Sequence, residues 1–364
     1  MEKKNQVTVL LLGMIFFALV FASWGKASEE YSVTERRKLA QFPEISLESV
    51  ADGSFMTDFE KYTLDQFPFR DQFRSLKAFI SQNILLKSDN NDIYVADGYA
   101  VKMEYPLNEK AIGHSMKKFN SLYENYLKDQ AGNIYLSLIP DKNYFLAEKS
   151  GHLSMNYEQL FKNVQNEMPY ATYVDITKFL SAEDYYRTDT HWRQECLKDV
   201  VQHLANSMGV ELSGKFEKNT LEQEFYGVYF GQSALNLPGE PLHYLTNDVI
   251  DQCVVTNFEN NTTTTVYDLK KAEGNDPYEI FLSGPVSLLT IENPKASTEK
   301  ELIVFRDSFG SSLIPLLAEG YQKIILIDIR YISSNLLANF VDFKNKDVLY
   351  LYSTIVLNNG ETLK

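Results

Sequence analysis

Candidates for a general base or a thiol nucleophile are few in this chain. There are five histidines and only two cysteines, Cys196 and Cys253, far apart in sequence. One serine stands at an informative place. Residues 302–317 read LIVFRDSFGSSLIPLL, with Ser308 between two apolar runs of different period. The first run is short, branched and aromatic, which predicts a buried strand. The second predicts a helix, with Pro315 tolerated in its first turn. A serine on a strand-to-helix turn has its hydroxyl at the open edge of a sheet, and helix amides face any oxyanion formed there. The same position also suits a serine that only caps the helix.

A nucleophilic serine needs a base and a group that orients the base. Asp189 and His191 meet that need, in SAEDYYRTDTHWRQECLKDV (181–200). An aspartate two residues before a histidine can accept the Nδ1 proton if the local chain is extended. Nε2 is then left free to take a proton. The apolar positions Trp192, Cys196, Val200, Leu204 and Met208 predict a helix that begins at Thr190 as N-cap. That would place Asp189 and His191 at a helix mouth, where the imidazole is held neutral. Two other readings remain at this point: a capping aspartate beside a surface histidine, and a metal site. No further His or Cys lies at ligand spacing for a metal.

The elements that must position these residues follow from the rest of the chain. Residues 7–24 form an apolar run, VTVLLLGMIFFALVFASW, after Lys3 and Lys4. This is a signal peptide or an uncleaved signal anchor over about residues 1–30, and the run is just long enough to span a bilayer. The cations before it place the remainder of the chain outside the cell. Residues 31–90 predict an N-terminal helical segment, two of its helices meeting at Pro68. From 91 onward a hairpin turns at Asp97-Gly98, and strands then alternate with helices. That alternation predicts an α/β domain with a mostly parallel sheet. Residues 211–300 are richer in Gly, Asn and Thr and predict an antiparallel β insertion over the sheet edge. Asn260 and Asn261 fit a glycosylation sequon, relevant only in a eukaryotic secretory pathway.

Composition excludes some functions. The formal net charge of −14 leaves no basic patch to follow a nucleic-acid backbone. The 23 Tyr and 23 Phe could line a sugar-stacking groove, although core packing is the commoner use of such residues. No cofactor is implied.

Three stretches together carry a family resemblance. They are TERRKLAQFP (34–43) with FEKYTLDQFPFRDQF (59–73), TDTHW (188–192), and RDSFGSSLIPLL (306–317) with IDIRY (327–331). The chain resembles the DHHW family of bacterial extracytoplasmic proteins and is similar to the SGNH-hydrolase-like alginate O-acetylation proteins. Thr190 stands where the DHHW pattern has histidine. The resemblance implies a three-layer α/β/α fold and a triad of Ser308, His191 and Asp189. It also implies an oxyanion hole, for which the Ser308 amide and Gly284 are candidates; the usual SGNH Gly and Asn blocks are missing. Arg306, Arg330 and Tyr331 fall at strand ends near the expected site and could position substrate, or the arginines could be buried ion-pair partners. The implied activity is O-acetyl transfer to, or removal from, a cell-surface polysaccharide, with a membrane acetyl-exporting acyltransferase as a possible partner. A non-catalytic polysaccharide-binding or assembly protein with the same fold is the alternative.

Overall fold

The computed structural model describes residues 2–364, which fall into two compact units. The first unit runs to Asn91 and includes Phe230–Asn236. It opens with helix α1 (Glu2–Gly25), long and apolar enough over Lys3–Gly25 to cross a membrane, with none of its apolar window buried. A two-residue pairing of β1 (Tyr31–Ser32) with β2 (Arg37–Lys38) follows, then α2 (Leu47–Ala51), α3 (Ser54–Asp65) and α4 (Arg70–Phe79). Pro68 separates α3 from α4, and Phe69 takes a left-handed φ of 56° at the break. Glu35 organises this unit: it is ion-paired with Arg70, with Arg74 at 3.0 Å and with Arg37 at 3.1 Å. Arg37 also grips Asp65 at 2.6 Å.

The second unit contains the sheet. Hairpin β3 (Ile93–Ala96) and β4 (Tyr99–Lys102) turns through Asp97 and Gly98, both at positive φ, as the Asp-Gly pair predicts. Eight strands then form one sheet: β5 (Ile134–Ile139), β6 (Thr172–Tyr173), β9 (Val254–Asn257), β10 (Thr262–Thr264), β11 (Leu288–Glu292), β12 (Glu301–Arg306), β13 (Lys323–Ile327) and β14 (Asp347–Ser353). Their order is β10-β9-β11-β13-β12-β14-β5-β6. The five strands from β13 to β6 are parallel, and β11, β9 and β10 add an antiparallel edge. The insertion therefore extends the sheet edge in part. Its other part is a separate ribbon of β7 (Glu217–Phe225) and β8 (Glu240–Thr246), which the sequence did not separate from loop.

Helices α5 (Glu109–Leu122), α7 (Tyr157–Glu167) and α8 (Lys198–Ser207) are amphipathic and pack with the sheet, while α6 (Lys142–Ser150) packs through Leu146 on the β3–β4 hairpin. A short helix, α9 (Val228–Ser233), carries the chain into the Phe230–Asn236 segment. In β12 the side chains alternate between two cores. Leu302 and Val304 join one, Ile303 and Phe305 the other. Both faces of the central strand are thus buried, which is why it reads as a continuous apolar run. Parallel order puts the C-terminal ends of β5, β12, β13 and β14 on one edge, where ligand sites of such sheets form.

Candidate active site

Ser308 follows β12 by two residues, on the turn into α10 (Gly310–Leu313). Asp307 shapes that turn. Its carboxylate accepts the Phe309 N–H at 3.0 Å and the Ser353 N–H at 2.8 Å, tying the turn to the end of β14. Phe309, not Ser308, is the helix N-cap, and it makes no side-chain cap. The Ser308 hydroxyl instead lies 2.8 Å from His191 Nε2. Helix α10 is a single turn followed by a 3₁₀ segment, Ile314–Gly320, so the expected helix dipole is weak.

Asp189 and His191 do not sit at a helix mouth. They lie in a bent loop, residues 187–191, closed by the bridge of Tyr185 to Trp192, and regular α-helix starts only at Lys198. Thr190 caps nothing. The apolar spacing after it reflects a 3₁₀ turn (Gln194–Cys196) placed end to end with α8. The bend lets Asp189 Oδ1 accept both the Nδ1 proton of His191 at 2.6 Å and its backbone N–H, two residues on, at 3.0 Å, where the sequence predicted an extended chain. Asp189 Oδ2 accepts the Val228 N–H at 2.8 Å. Gly227 makes that last bond possible: a Cβ there would lie 2.2 Å from Asp189 Cβ and 2.4 Å from its Cα.

Two aromatic rings hold the imidazole. Tyr278 stacks on it at 3.9 Å between centroids and 9° between planes, and Phe309 packs at 4.9 Å. Tyr278 donates to Ser312 Oγ at 2.8 Å, and Trp192 Nε1 donates to the same oxygen at 3.0 Å. Gln194 adds a bond to the Ser312 carbonyl at 2.6 Å. Burial raises the Tyr278 phenol well above its ordinary range, so it is a neutral donor.

Lys142 supports the loop from beneath. It is 2 % exposed, and Nζ donates to the carbonyls of Tyr186 at 2.8 Å and Arg187 at 3.2 Å, just ahead of Asp189. Burial pulls this ammonium down to about 7, against the opposing pull of Asp189, Glu240 and Asp141. Glu240 in turn accepts the backbone N–H groups of Arg187 at 2.5 Å and Thr188 at 3.4 Å. Sequence reasoning did not find Lys142, Gly227, Glu240 or Tyr278. A signal existed for Lys142 in its place straight after the strand-ending Pro140-Asp141. The others lie 36 or more residues from His191, and only the fold brings them to it.

Of the three expected positioning residues, the two arginines are committed elsewhere. Arg306 is 1 % exposed and beneath the turn; Nη1 donates to Ser311 Oγ at 3.0 Å and to the Asp307 carbonyl at 3.3 Å. A guanidinium closed off from solvent cannot meet a substrate. Arg330 is committed to Asp328 by contacts of 2.6 and 2.9 Å, which hold it charged. Tyr331 is half-exposed, with the Arg330 guanidinium 5.4 Å from its ring centroid. Gly284 does sit at a left-handed φ of 87°, but its N–H already donates to the Phe281 carbonyl at 3.3 Å. It is not an open oxyanion donor. The Ser308 N–H has no hydrogen-bond partner among the described residues. No group of three or more His, Cys, Asp or Glu able to hold a metal occurs among the described residues.

The fold, a mostly parallel sheet with Ser308, His191 and Asp189 gathered at the C-terminal edge of its strands, has counterparts among solved structures. The solved structures with this fold include a DHHW family protein from Eubacterium siraeum, 18 % identical, with a TM-score of 0.59 over 75 % of this chain and 95 % of that one. They include PatB1 of Bacillus cereus, 20 % identical, with a TM-score of 0.57 over 73 % of this chain and 96 % of that one. PatB1 carrying a sulfonyl adduct aligns at 19 % identity, with a TM-score of 0.55 over 73 % of this chain and 94 % of that one. At such identities the likeness concerns the fold. No protein-family model matches the chain, and no curated protein matches it in sequence.

Proposed function

We propose that the chain is a serine-dependent enzyme that moves an acetyl group onto, or off, a polysaccharide hydroxyl outside the cytoplasm. One observation carries this reading: Ser308 Oγ, His191 and Asp189 form an unbroken line of hydrogen bonds of 2.8 and 2.6 Å. In the first step Nε2 of His191 takes the Ser308 proton as Oγ bonds to the acetyl carbonyl carbon. The carbonyl oxygen becomes an oxyanion, and the Ser308 N–H is the open donor nearest in sequence to meet it. Collapse breaks the bond to the leaving oxygen, which takes the proton from His191. Acetyl-Ser308 remains. A sugar hydroxyl or water then gives its proton to His191 and attacks the acyl carbon; the bond to Ser308 Oγ breaks, Oγ takes the proton back from His191, and an acetylated sugar or acetate leaves. Asp189, acceptor of the Nδ1 proton, stabilises the imidazolium in both halves.

The family resemblance of the motifs supports acetyl as the group and polysaccharide as the acceptor. The apolar α1 supports an envelope location, anchored or secreted, where acetyl groups would come from a membrane partner. The test is acetyl release from p-nitrophenyl acetate, with mass spectrometry of the acyl-enzyme. Acetate on Ser308 in the wild type, and its absence in Ser308→Ala, are expected. A sulfonyl fluoride should modify the same oxygen, a choice of reagent prompted by the adduct of PatB1. Full turnover by Ser308→Ala would overturn the reading. The occupied amide of Gly284 favours the alternative of a polysaccharide-binding protein with an inert triad. Oligosaccharide binding by a protein that never acetylates Ser308 would select it.

A further inference from the structure

Helix α4 is turned with its polar side inward. Its buried edge is Arg70, Arg74 and Ala78, continued by Ser81 in the π-helical turn Ile80–Ile84. Arg70 and Arg74 are held there by Glu35, and Arg74 Nη2 also donates to the Gly231 carbonyl at 2.8 Å. Its outward side carries Phe69, Phe73, Leu76, Ile80 and Ile84, with exposures from 36 % to 63 %. Spacings of four, three, four and four put these five on one stripe. A stripe of this size on a soluble surface is rare unless something covers it.

The same unit shows what is adjacent. The chain leaving α1 is pinned to the end of α3: Gln66 accepts the Glu29 N–H at 2.9 Å and donates to the Glu29 carbonyl at 2.8 Å. Phe69, the first residue of the stripe, follows Gln66 by three residues. Ala22 and Lys26 of the α1 end share a cleft of about 540 Å³ with Phe69 and Gln72. The stripe therefore begins where α1 would emerge from a bilayer. Exposed Lys77 and Lys87 beside it suit an anionic lipid surface.

We propose that α4 lies in the interface of the bilayer that α1 crosses, its apolar stripe at the acyl boundary and Arg70 and Arg74 facing the protein. This rests on α1 being membrane-embedded and is independent of the acetyl chemistry. Such a helix would hold the protein's first unit flat on the membrane surface.

The test uses the full chain in vesicles of phosphatidylethanolamine and phosphatidylglycerol, with Cys196 and Cys253 replaced by serine. A polarity-sensitive fluorophore is placed by Phe73→Cys, Leu76→Cys or, around the other side of the helix, Ser75→Cys. Lipids brominated in their acyl chains should quench the label at 73 and 76 at least about twofold more than at 75, with blue-shifted emission. Equal, weak quenching at all three positions would overturn the proposal. So would a buried label at 73 that ignores brominated lipid: a signal lost on dilution into excess vesicles assigns the stripe to a second copy, and one that persists assigns it to the chain's own second unit. Because the readout is lipid contact, it fails or holds regardless of whether Ser308 is ever acetylated.

Discussion

Replacing Asp189 by asparagine tests the catalytic reading most directly, because the structure leaves the amide no good orientation. Asp189 is 1 % exposed, so water cannot compensate for what the protein loses. Its Oδ1 accepts two donors from His191, at 2.6 and 3.0 Å, and its Oδ2 accepts the Val228 N–H at 2.8 Å. If the new carbonyl faces His191, the amide NH₂ meets the Val228 N–H, donor against donor. If it turns to Val228, the NH₂ faces Nδ1 and forces the tautomer that carries its proton on Nε2. That imidazole cannot take the Ser308 proton. Loss of the correct tautomer in a triad costs about 10⁴ in kcat, or about 5.5 kcal/mol of barrier. Loss of charge-assisted bonds should lower stability by about 2–4 kcal/mol, since each contributes about 1.5–3 kcal/mol. The assay is acyl-enzyme formation from p-nitrophenyl acetate in a single turnover, alongside a thermal melt. The expected pattern is a slowed acylation with little change in KM, in a protein that still melts cooperatively. A folded Asp189→Asn protein acylating within about tenfold of wild type would refute the triad.

Three further outcomes are expected. Gly227→Ala must drive a methyl into the Cα and Cβ of Asp189, where backbone has no room to give. It should destabilise by about 1–3 kcal/mol and lower kcat more than KM changes, as read by melting and acetyl release. Lys142→Met keeps the packing but drops both carbonyl bonds of the loop; acylation should fall while Ser308 still reacts slowly with a sulfonyl fluoride. Glu104 governs a pH effect. Burial, with Asp141 nearby, pushes its carboxyl up to about 7. The folded state then holds a proton that the unfolded state has released between pH 4.5 and 7, so stability falls as pH rises through that window. The loss amounts to about 3 kcal/mol at most. Glu104→Gln should flatten it, measured as urea midpoints at pH 4.5 and pH 7.5; an unchanged slope would show that other groups cause it.

The sequence determined a good deal of this protein. The apolar run of β12 announces a strand buried on both faces, and Asp97-Gly98 announces a hairpin, because both signals are local and depend on the chain's own period and φ preferences. The Asp-x-His spacing and the strand-turn-serine element are local too, which is why Asp189, His191 and Ser308 stand out as candidates from the residues alone. Local patterns also misled. Thr190 followed by apolar residues at helical spacing looked like a cap, yet it sits in a bent loop, and a 3₁₀ turn intervenes before α8. Gly284 looked like an open donor because sequence cannot show that Phe281 takes its amide. Only the tertiary structure decided the pairing of His191 with Ser308 across 117 residues, the stacking of Tyr278, and the support from Lys142 and Glu240. It also decided that Arg306 lies sealed beneath the turn. The physical reason is common to all of these. Burial, stacking and amide occupancy are fixed by which strands adjoin, and strand order is a long-range property that no single stretch of residues encodes.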